Sequence, residues 1–269
     1  MRHSSRGREN GLSSSGRNDD PGFEAARLAE APLHISELSV RLGGRILFSP
    51  ITLKIAAGEI VAVIGPSGVG KTSLLRAVAG LLDESSVTGK AWARENPAIM
   101  FQEDRLLPWC DLLSNVLVPI ELQRELEPSD VAVARELLRR MRLEGADRLL
   151  PDKVSGGMRQ RAAIARALVR SAAVLLLDEP FTALDFDTKI DCQRLLLESV
   201  SASGSAVLLV THDIDDAVSL AQRLLIMSAY PASSTIREIG WLGRPSDPLR
   251  SRQSSGHFEI VREILSYVA

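Results

Sequence analysis

The chain has few cysteines and no long hydrophobic run. Its two cysteines, Cys110 and Cys192, form neither a close pair nor a metal-ligand spacing, which favours free thiols in a reducing compartment over a disulfide. No apolar run reaches the ~18 residues that a membrane-spanning helix needs. Residues 1–8 carry charge, and no apolar segment of the kind found in a signal peptide follows them. We therefore expect a cytoplasmic protein that reaches a membrane only through a partner.

A strong net charge is also missing. The formal charge is −2 over 269 residues, so no overall basic field attracts nucleic acid or anionic lipid, and we expect no nucleic-acid partner. Residues 1–30 are rich in Ser, Gly, Arg, Asn and Asp and lack the apolar content that orders a segment. They are predicted to form a disordered tail, with a binding arm as the alternative.

A glycine-rich loop joins a predicted strand to a predicted helix. The strand is the apolar run Ile60–Ile64, and apolar residues recur at helical spacing after the loop, at Leu74, Leu75, Val78 and Leu82. The loop fits the pattern G-x-x-x-x-G-K-[S/T] with Gly65, Pro66, Ser67, Gly68, Val69, Gly70, Lys71 and Thr72. Such a loop turns backbone N–H groups toward phosphates, while its lysine adds positive charge and its hydroxyl can bind Mg²⁺. A glycine-rich turn that binds nothing is the alternative.

Two adjacent carboxylates end a second apolar strand. The run Val174–Leu177 leads directly into Asp178 and Glu179, and adjacent acids at a strand end are costly unless a cation lies nearby. Ligands bind at the carboxyl ends of parallel strands. Asp178 is therefore predicted to hold the water shell of Mg²⁺, and Glu179 to polarise an attacking water. Solvated acids at an ordinary strand end are the alternative.

The segment Val154–Arg161 resembles the LSGGQ signature of ATP-binding cassette (ABC) ATPases, with Ser155, Gly156 and Gly157 at the positions that would touch phosphate. Further family motifs follow the same order. Gln102 matches the Q-loop, Asp185 the D-loop and His212 the switch histidine. The resemblance covers roughly residues 33–230.

The resemblance implies an α/β fold with a P-loop NTPase core. This core is RecA-like, with a largely parallel sheet, an antiparallel β subdomain and an inserted α-helical subdomain at about 104–153. The ABC ATPase domain is expected over 31–235, and a partly helical C-terminal extension over 236–269. Amphipathic spacing supports the helical insert, with an apolar set at Val131, Val133, Ala134, Leu137, Leu138 and Met141.

The resemblance also implies a mechanism. ATP would lie between the P-loop of one copy and Ser155, Gly156 and Gly157 of a second copy, in a two-fold head-to-tail dimer. Thr72 and Gln102 would ligate Mg²⁺. Glu179 would act as general base or position the water, and His212 would contact the γ-phosphate. Asp185 would couple the two sites.

This sequence departs from the family pattern at three positions. Val154 and Met158 replace the commoner Leu and Gln of the signature. Leu42 stands where the family usually has an aromatic residue that stacks on adenine. Apolar contact would replace stacking there.

The segment Phe101–Trp109 resembles the Q-loop region of the nitrate/sulfonate/taurine importer ATPases. This predicts an ATP-hydrolysing, energy-coupling subunit of an importer for a small oxyanion or organosulfonate. Its partners would be integral membrane permease subunits and, indirectly, a solute-binding protein. It would sit peripherally on the cytoplasmic face of the inner membrane. Leu106, Leu107 and Trp109 are candidates for the permease contact, with ordinary packing as the alternative. A soluble ABC ATPase that acts as an assembly factor is the second hypothesis.

Overall fold

A computed structural model describes residues 31–228, 235–239, 247–248 and 255–268. The predicted tail, 1–30, lies outside these residues. The strands are β1 Leu33–Leu42, β2 Arg45–Ile46, β3 Ile51–Ile55, β4 Ile60–Ile64, β5 Val87–Ala93, β6 Ala98–Met100, β7 Val174–Asp178, β8 Ala206–Thr211, β9 Arg223–Ser228 and β10 Thr235–Ile239. The helices are α1 Lys71–Val78, α2 Leu112–Glu121, α3 Pro128–Arg140, α4 Gly156–Leu168, α5 Phe186–Ser203, α6 Ile214–Leu220 and α7 Ser255–Val268.

The described strands form two sheets. The larger sheet has the order β10-β9-β4-β8-β7-β6, and all its pairings are parallel except that of β10 with β9. In the smaller sheet β1 pairs antiparallel with β2, β3 and β5. The predicted combination of a largely parallel sheet with an antiparallel β subdomain is confirmed.

The central strand β4 separates two hydrophobic layers. Ile60, Ala62 and Ile64 face a core that includes α4 and α5, while Val61 and Val63 face a core shared with the smaller sheet and α1. Successive side chains on a strand point to opposite faces, and both faces of β4 are covered, so all five residues are buried. A parallel sheet covered on both faces produces this continuous apolar sequence.

Along the chain, helices α2 and α3 come between β6 and α4, in the region predicted to be helical. The buried side of α3 includes Ala134 and Leu138, but Val133 is 49% exposed, so its assignment to the apolar face was wrong. Helix α1 ends at Val78, before Leu82, because the N–H of Leu81 turns back to the carbonyl of Arg76. Among the described residues, no helix combines the length and hydrophobicity needed to cross a bilayer.

Candidate nucleotide site

The glycine-rich loop connects β4 to α1 at the carboxyl edge of the larger sheet. A Cβ atom at Gly65 would lie 2.2 Å from the carbonyl oxygen of Met227 in β9, so only glycine fits there. The tip of the loop, Pro66–Gly68, is exposed, and α1 begins at Lys71. The helix therefore directs its N-terminal amides and positive dipole end toward the space beneath this loop.

The ammonium group of Lys71 is buried against the loop. Its Nζ atom donates to the carbonyl oxygens of Gly65 at 2.7 Å and Pro66 at 3.0 Å. Burial lowers the pKa of Lys71, and the nearby charges of Glu179 and Asp178 act against that shift. Phosphate oxygens would give this desolvated charge further partners.

Thr72 and Asp178 meet at the same edge of the sheet. The Thr72 hydroxyl donates to Asp178 Oδ1 at 3.3 Å, which joins the first turn of α1 to the last residue of β7. Asp178 is 1% exposed, and burial raises its pKa, opposed by the Thr72 hydrogen bond. A hydroxyl beside a buried carboxylate is the hard oxygen donor set that Mg²⁺ binds, so these residues fit that ion.

Glu179 lies at the centre of a polar cluster. Its Oε1 atom accepts a hydrogen bond from Nδ1 of His212 at 2.8 Å, and its Oε2 atom accepts from the hydroxyls of Thr182 and Thr211, both at 3.3 Å. The carboxylate is almost buried, whereas the His212 side chain is 53% exposed. The cluster therefore presents a fixed carboxylate beside a solvent-accessible imidazole.

The signature residues lie on a separate exposed surface. Ser155 caps α4 by accepting from the N–H of Met158 at 3.2 Å, and Ser155 and Gly156 are exposed. A Cβ atom at Gly157 would lie 3.2 Å from the carbonyl oxygen of Ala183, so the N-terminus of α4 packs closely on the D-loop. No hydrogen bond connects these three residues to the P-loop in the part of the chain that the structure describes.

Asp185 and Gln102 also stand apart from the P-loop. Asp185 caps α5, and the hydrogen bond from the Thr188 N–H lowers the pKa of its carboxyl group. Gln102 is exposed just after β6, and within the described residues it bonds neither Thr72 nor Asp178. Among the described residues of one protomer, the predicted signature, D-loop and Q-loop residues are therefore not hydrogen-bonded to the P-loop.

The Q-loop is tied to the signature helix. Arg159 Nε donates to Asp104 Oδ2 at 2.9 Å, and Arg166 donates to the carbonyl oxygens of Asp104 at 2.5 Å and Arg105 at 2.7 Å. Sequence reasoning gave these residues no role, because their contacts join positions more than fifty residues apart. Gln160 was also missed. Its chain neighbours Arg159 and Arg161 are polar too, so the local sequence gave no signal that its amide is buried and bonded to distant segments.

Three further predicted positions, Leu42, Leu106 and Trp109, are at the surface or in the core. Leu42 is 43% exposed at the end of β1, beside the β1–β2 turn. Leu106 is buried, so the packing alternative holds for it, whereas Trp109 is 73% exposed. Both cysteines are free thiols in the structure.

A P-loop lysine, a hydroxyl–carboxylate pair and a buried glutamate, all at the carboxyl edge of a parallel sheet, define a P-loop nucleoside triphosphatase. The model of the ABC transporter family matches residues 48–182. The chain belongs to this family, and it is an ABC ATPase.

The sequence is similar to those of import ATP-binding proteins. The chain is 44% identical over 209 residues to the aliphatic sulfonates import ATP-binding protein SsuB 2 of Paraburkholderia xenovorans (strain LB400), covering 77% of this chain and 82% of that protein. It is 38% identical over 243 residues to the taurine import ATP-binding protein TauB of Yersinia pestis bv. Antiqua (strain Antiqua), covering 86% and 94%. These relatives confirm the predicted resemblance to the nitrate/sulfonate/taurine subgroup.

The fold is also similar to a dimeric structure of a post-hydrolysis state of the ATP-binding cassette MJ0796 bound to ADP and Pi. The TM-score is 0.67 at 26% sequence identity, and the match covers 77% of this chain and 98% of that one. The predicted fold class is confirmed.

Proposed function

We propose that this chain is the ATP-hydrolysing, energy-coupling subunit of an ABC importer for a small oxyanion or organosulfonate. The observation that carries the proposal is the convergence of Lys71, Thr72, Asp178, Glu179 and His212 at one sheet edge. The 44% identity to a protein named for the import of aliphatic sulfonates supports the solute class.

Phosphate binding is assigned to the P-loop. The backbone N–H groups of residues 65–72, except Pro66, which has none, and the Lys71 ammonium would bind the phosphates, and the burial of Lys71 would strengthen that interaction by excluding water. Thr72 and Asp178 would hold Mg²⁺, and Gln102 would join them after the Q-loop moves inward. The ion supplies neutralising charge at the β- and γ-phosphates.

Glu179 is assigned as the general base or water-positioning group. Its carboxylate is fixed from three sides by His212, Thr182 and Thr211, so its orientation costs little entropy during the reaction. The exposed imidazole of His212 is assigned as the contact with the γ-phosphate. Because His212 also donates to Glu179, loss of that phosphate alters the hydrogen bonding of the base directly.

A second copy would complete the site. Ser155, Gly156 and Gly157 lie on an exposed helix N-terminus, which is suited to bind an anion supplied by another molecule. Two copies in head-to-tail two-fold symmetry would each place this surface over the nucleotide of the other. Asp185, close to the signature through the contact of Gly157 with Ala183, would couple the two sites.

The permease is proposed to dock beside the Q-loop. A groove of about 480 Å³ lies there, and its lining includes Phe101, Val118, Pro119 and Leu122 together with Arg105 and Arg166. Leu122, one of the lining residues, is 82% exposed. An apolar groove with basic groups suits a short amphipathic helix from a membrane subunit. The chain would then work at the cytoplasmic face of the inner membrane.

The test is solute uptake in cells that lack this chain. Restoring the wild-type gene should restore uptake of radiolabelled taurine or an alkanesulfonate, and the Lys71→Ala variant, expressed to the same level, should not. Normal sulfonate and oxyanion uptake without the chain would contradict the importer assignment. Co-purification with soluble proteins alone would then support the assembly-factor hypothesis.

A further inference from the structure

The side chain of Gln160 connects three functional segments of the protomer. It projects from the second turn of α4, the helix that begins at the signature. Its Nε2 atom donates to the backbone carbonyl oxygen of Glu179 at 3.1 Å, and its Oε1 atom accepts from the backbone N–H of Ala183 at 2.8 Å. One amide therefore bridges the signature helix, the proposed base and the D-loop.

The chemistry of this position is demanding. Gln160 is only 6% exposed, and a buried carbonyl or N–H left without a partner costs about 1–3 kcal/mol. A carboxamide supplies a donor and an acceptor together, so it satisfies both the Glu179 carbonyl and the Ala183 N–H. The residues one turn away on its helix face, such as Ala163 and Ile164, carry no polar side-chain group that could replace it.

The backbone that Gln160 holds is strained. Glu179 has φ = +50°, a left-handed conformation that is unfavourable for a residue with a side chain. Both of its backbone polar groups are fixed, the N–H by the carbonyl of Val210 at 2.9 Å and the carbonyl by Gln160 at 3.1 Å and, less closely, by the Thr182 hydroxyl at 3.3 Å. In this conformation the Glu179 carboxylate lies 2.8 Å from Nδ1 of His212.

We propose that Gln160 is a positioning residue for Glu179, and that it transmits the position of α4 to the base. The inference rests on the proposed function. The N-terminus of α4 would bind the nucleotide held by the other copy, whereas Glu179 acts on the nucleotide of its own copy. Gln160 therefore couples the two hydrolytic sites. When α4 binds the nucleotide of the other copy, its position would fix the backbone of Glu179 and so align the base in its own site.

The first test replaces Gln160 with methionine, which has a similar length but no hydrogen-bonding amide. A misaligned base is expected to lower kcat about ten- to hundred-fold. The equilibrium affinity for ATP should remain unchanged, because the Gln160 side chain forms its hydrogen bonds with Glu179 and Ala183 and, among the described residues, with none of the P-loop. In single-turnover measurements the loss should vanish in a Glu179→Gln background, since a residue that acts through Glu179 has no further effect without it.

Gln222 provides a matched control. It is another buried glutamine that bonds a backbone group, accepting from the N–H of Ile60 at 2.6 Å, but it lies at the opposite end of β4 from the P-loop. Gln222→Met should lower the melting temperature without lowering kcat in the folded fraction. If Gln160→Met behaves in the same way, Gln160 has a structural role only and the inference is overturned.

A second variant applies if Gln160→Met does not fold. In Gln160→Glu, an ionised carboxylate would repel the Glu179 carbonyl, whereas the protonated acid reproduces both hydrogen bonds of the amide. The ratio of its kcat to that of the wild type should therefore rise as pH falls. A ratio independent of pH would contradict the inference. Full turnover in the Glu179→Gln single variant would instead contradict the proposed function, which separates the two failures.

Discussion

The carboxylate of Glu179 and the Nδ1 atom of His212 lie 2.8 Å apart and share a hydrogen bond. The two residues follow the neighbouring parallel strands β7 and β8, and parallel strands bring their carboxyl ends to one edge. The carboxylate is nearly buried, whereas the imidazole is half-exposed, so His212 lies between Glu179 and the solvent-accessible space where a nucleotide would bind.

We expect His212→Ala to slow ATP hydrolysis by about 10²-fold or more, the scale of general acid–base and positioning effects. The substitution removes a hydrogen bond to Glu179 and the proposed contact with the γ-phosphate, but it leaves the P-loop intact. Steady-state phosphate release would measure turnover, and fluorescence titration would measure ATP affinity. Turnover within two-fold of the wild type would contradict the role assigned to His212.

Adenine contact can be tested at Leu42. The residue is 43% exposed at the end of β1, so a larger side chain fits without disturbing the core. If Leu42 faces adenine, Leu42→Tyr should tighten ATP binding about two- to ten-fold, since aromatic stacking contributes about 0.5–1.5 kcal/mol. Val133→Tyr, at an exposed position on α3, is the control and should leave affinity unchanged. Equal affinities in all three proteins would show that Leu42 does not contact the base.

The helical region contains a pH-dependent ion pair. Both oxygens of Asp130 accept from Arg124 at 2.7 Å, and Oδ2 also accepts from the Glu127 N–H at 2.8 Å. These bonds, the one from Arg124 foremost, lower the pKa of Asp130. The ion pair therefore stabilises the folded state at pH values above the pKa of Asp130 in the unfolded chain, about 3.9. This stabilisation is lost as pH falls through the lower pKa of Asp130 in the folded protein.

Asp130→Asn should accordingly reduce the free energy of unfolding at pH 7, and the deficit relative to the wild type should shrink as pH falls below about 4. Urea unfolding of both proteins at pH 7 and at a pH below about 4 would measure this difference in the free energy of unfolding. Glu136→Gln breaks the more exposed pair with Arg139 and should have a smaller effect at pH 7. A deficit for Asp130→Asn that does not change with pH would show that the ion pair is not its source.

The sequence predicted the core strands and the motifs on them because these signals are local. The run Ile60–Ile64 is apolar throughout since both faces of β4 are covered, and the P-loop is read directly from its glycines and lysine. Contacts between distant segments leave no such local pattern. Nothing near Gln160 in sequence indicates that its amide holds Glu179 and Ala183, and the pair Asp104–Arg159 is equally long-range.

Periodicity also misjudged some surface positions. Val133 fits the apolar spacing of α3, yet it is exposed because the helix packs through Ala134 and Leu138. Leu106 was grouped with Leu107 and Trp109 as a candidate for the permease contact, but it is buried. Only the packing of neighbouring elements decides such cases. The roles of the site residues and the domain boundaries remain predictions.

The central claim is that one protomer holds half of each hydrolytic site and that ATP joins two copies. The most direct measurement is the mass of the Glu179→Gln variant by analytical ultracentrifugation, since this variant should bind ATP without consuming it. We predict a dimer in saturating ATP and Mg²⁺ and a monomer in ADP. A variant that binds ATP at full occupancy and remains monomeric would contradict the account.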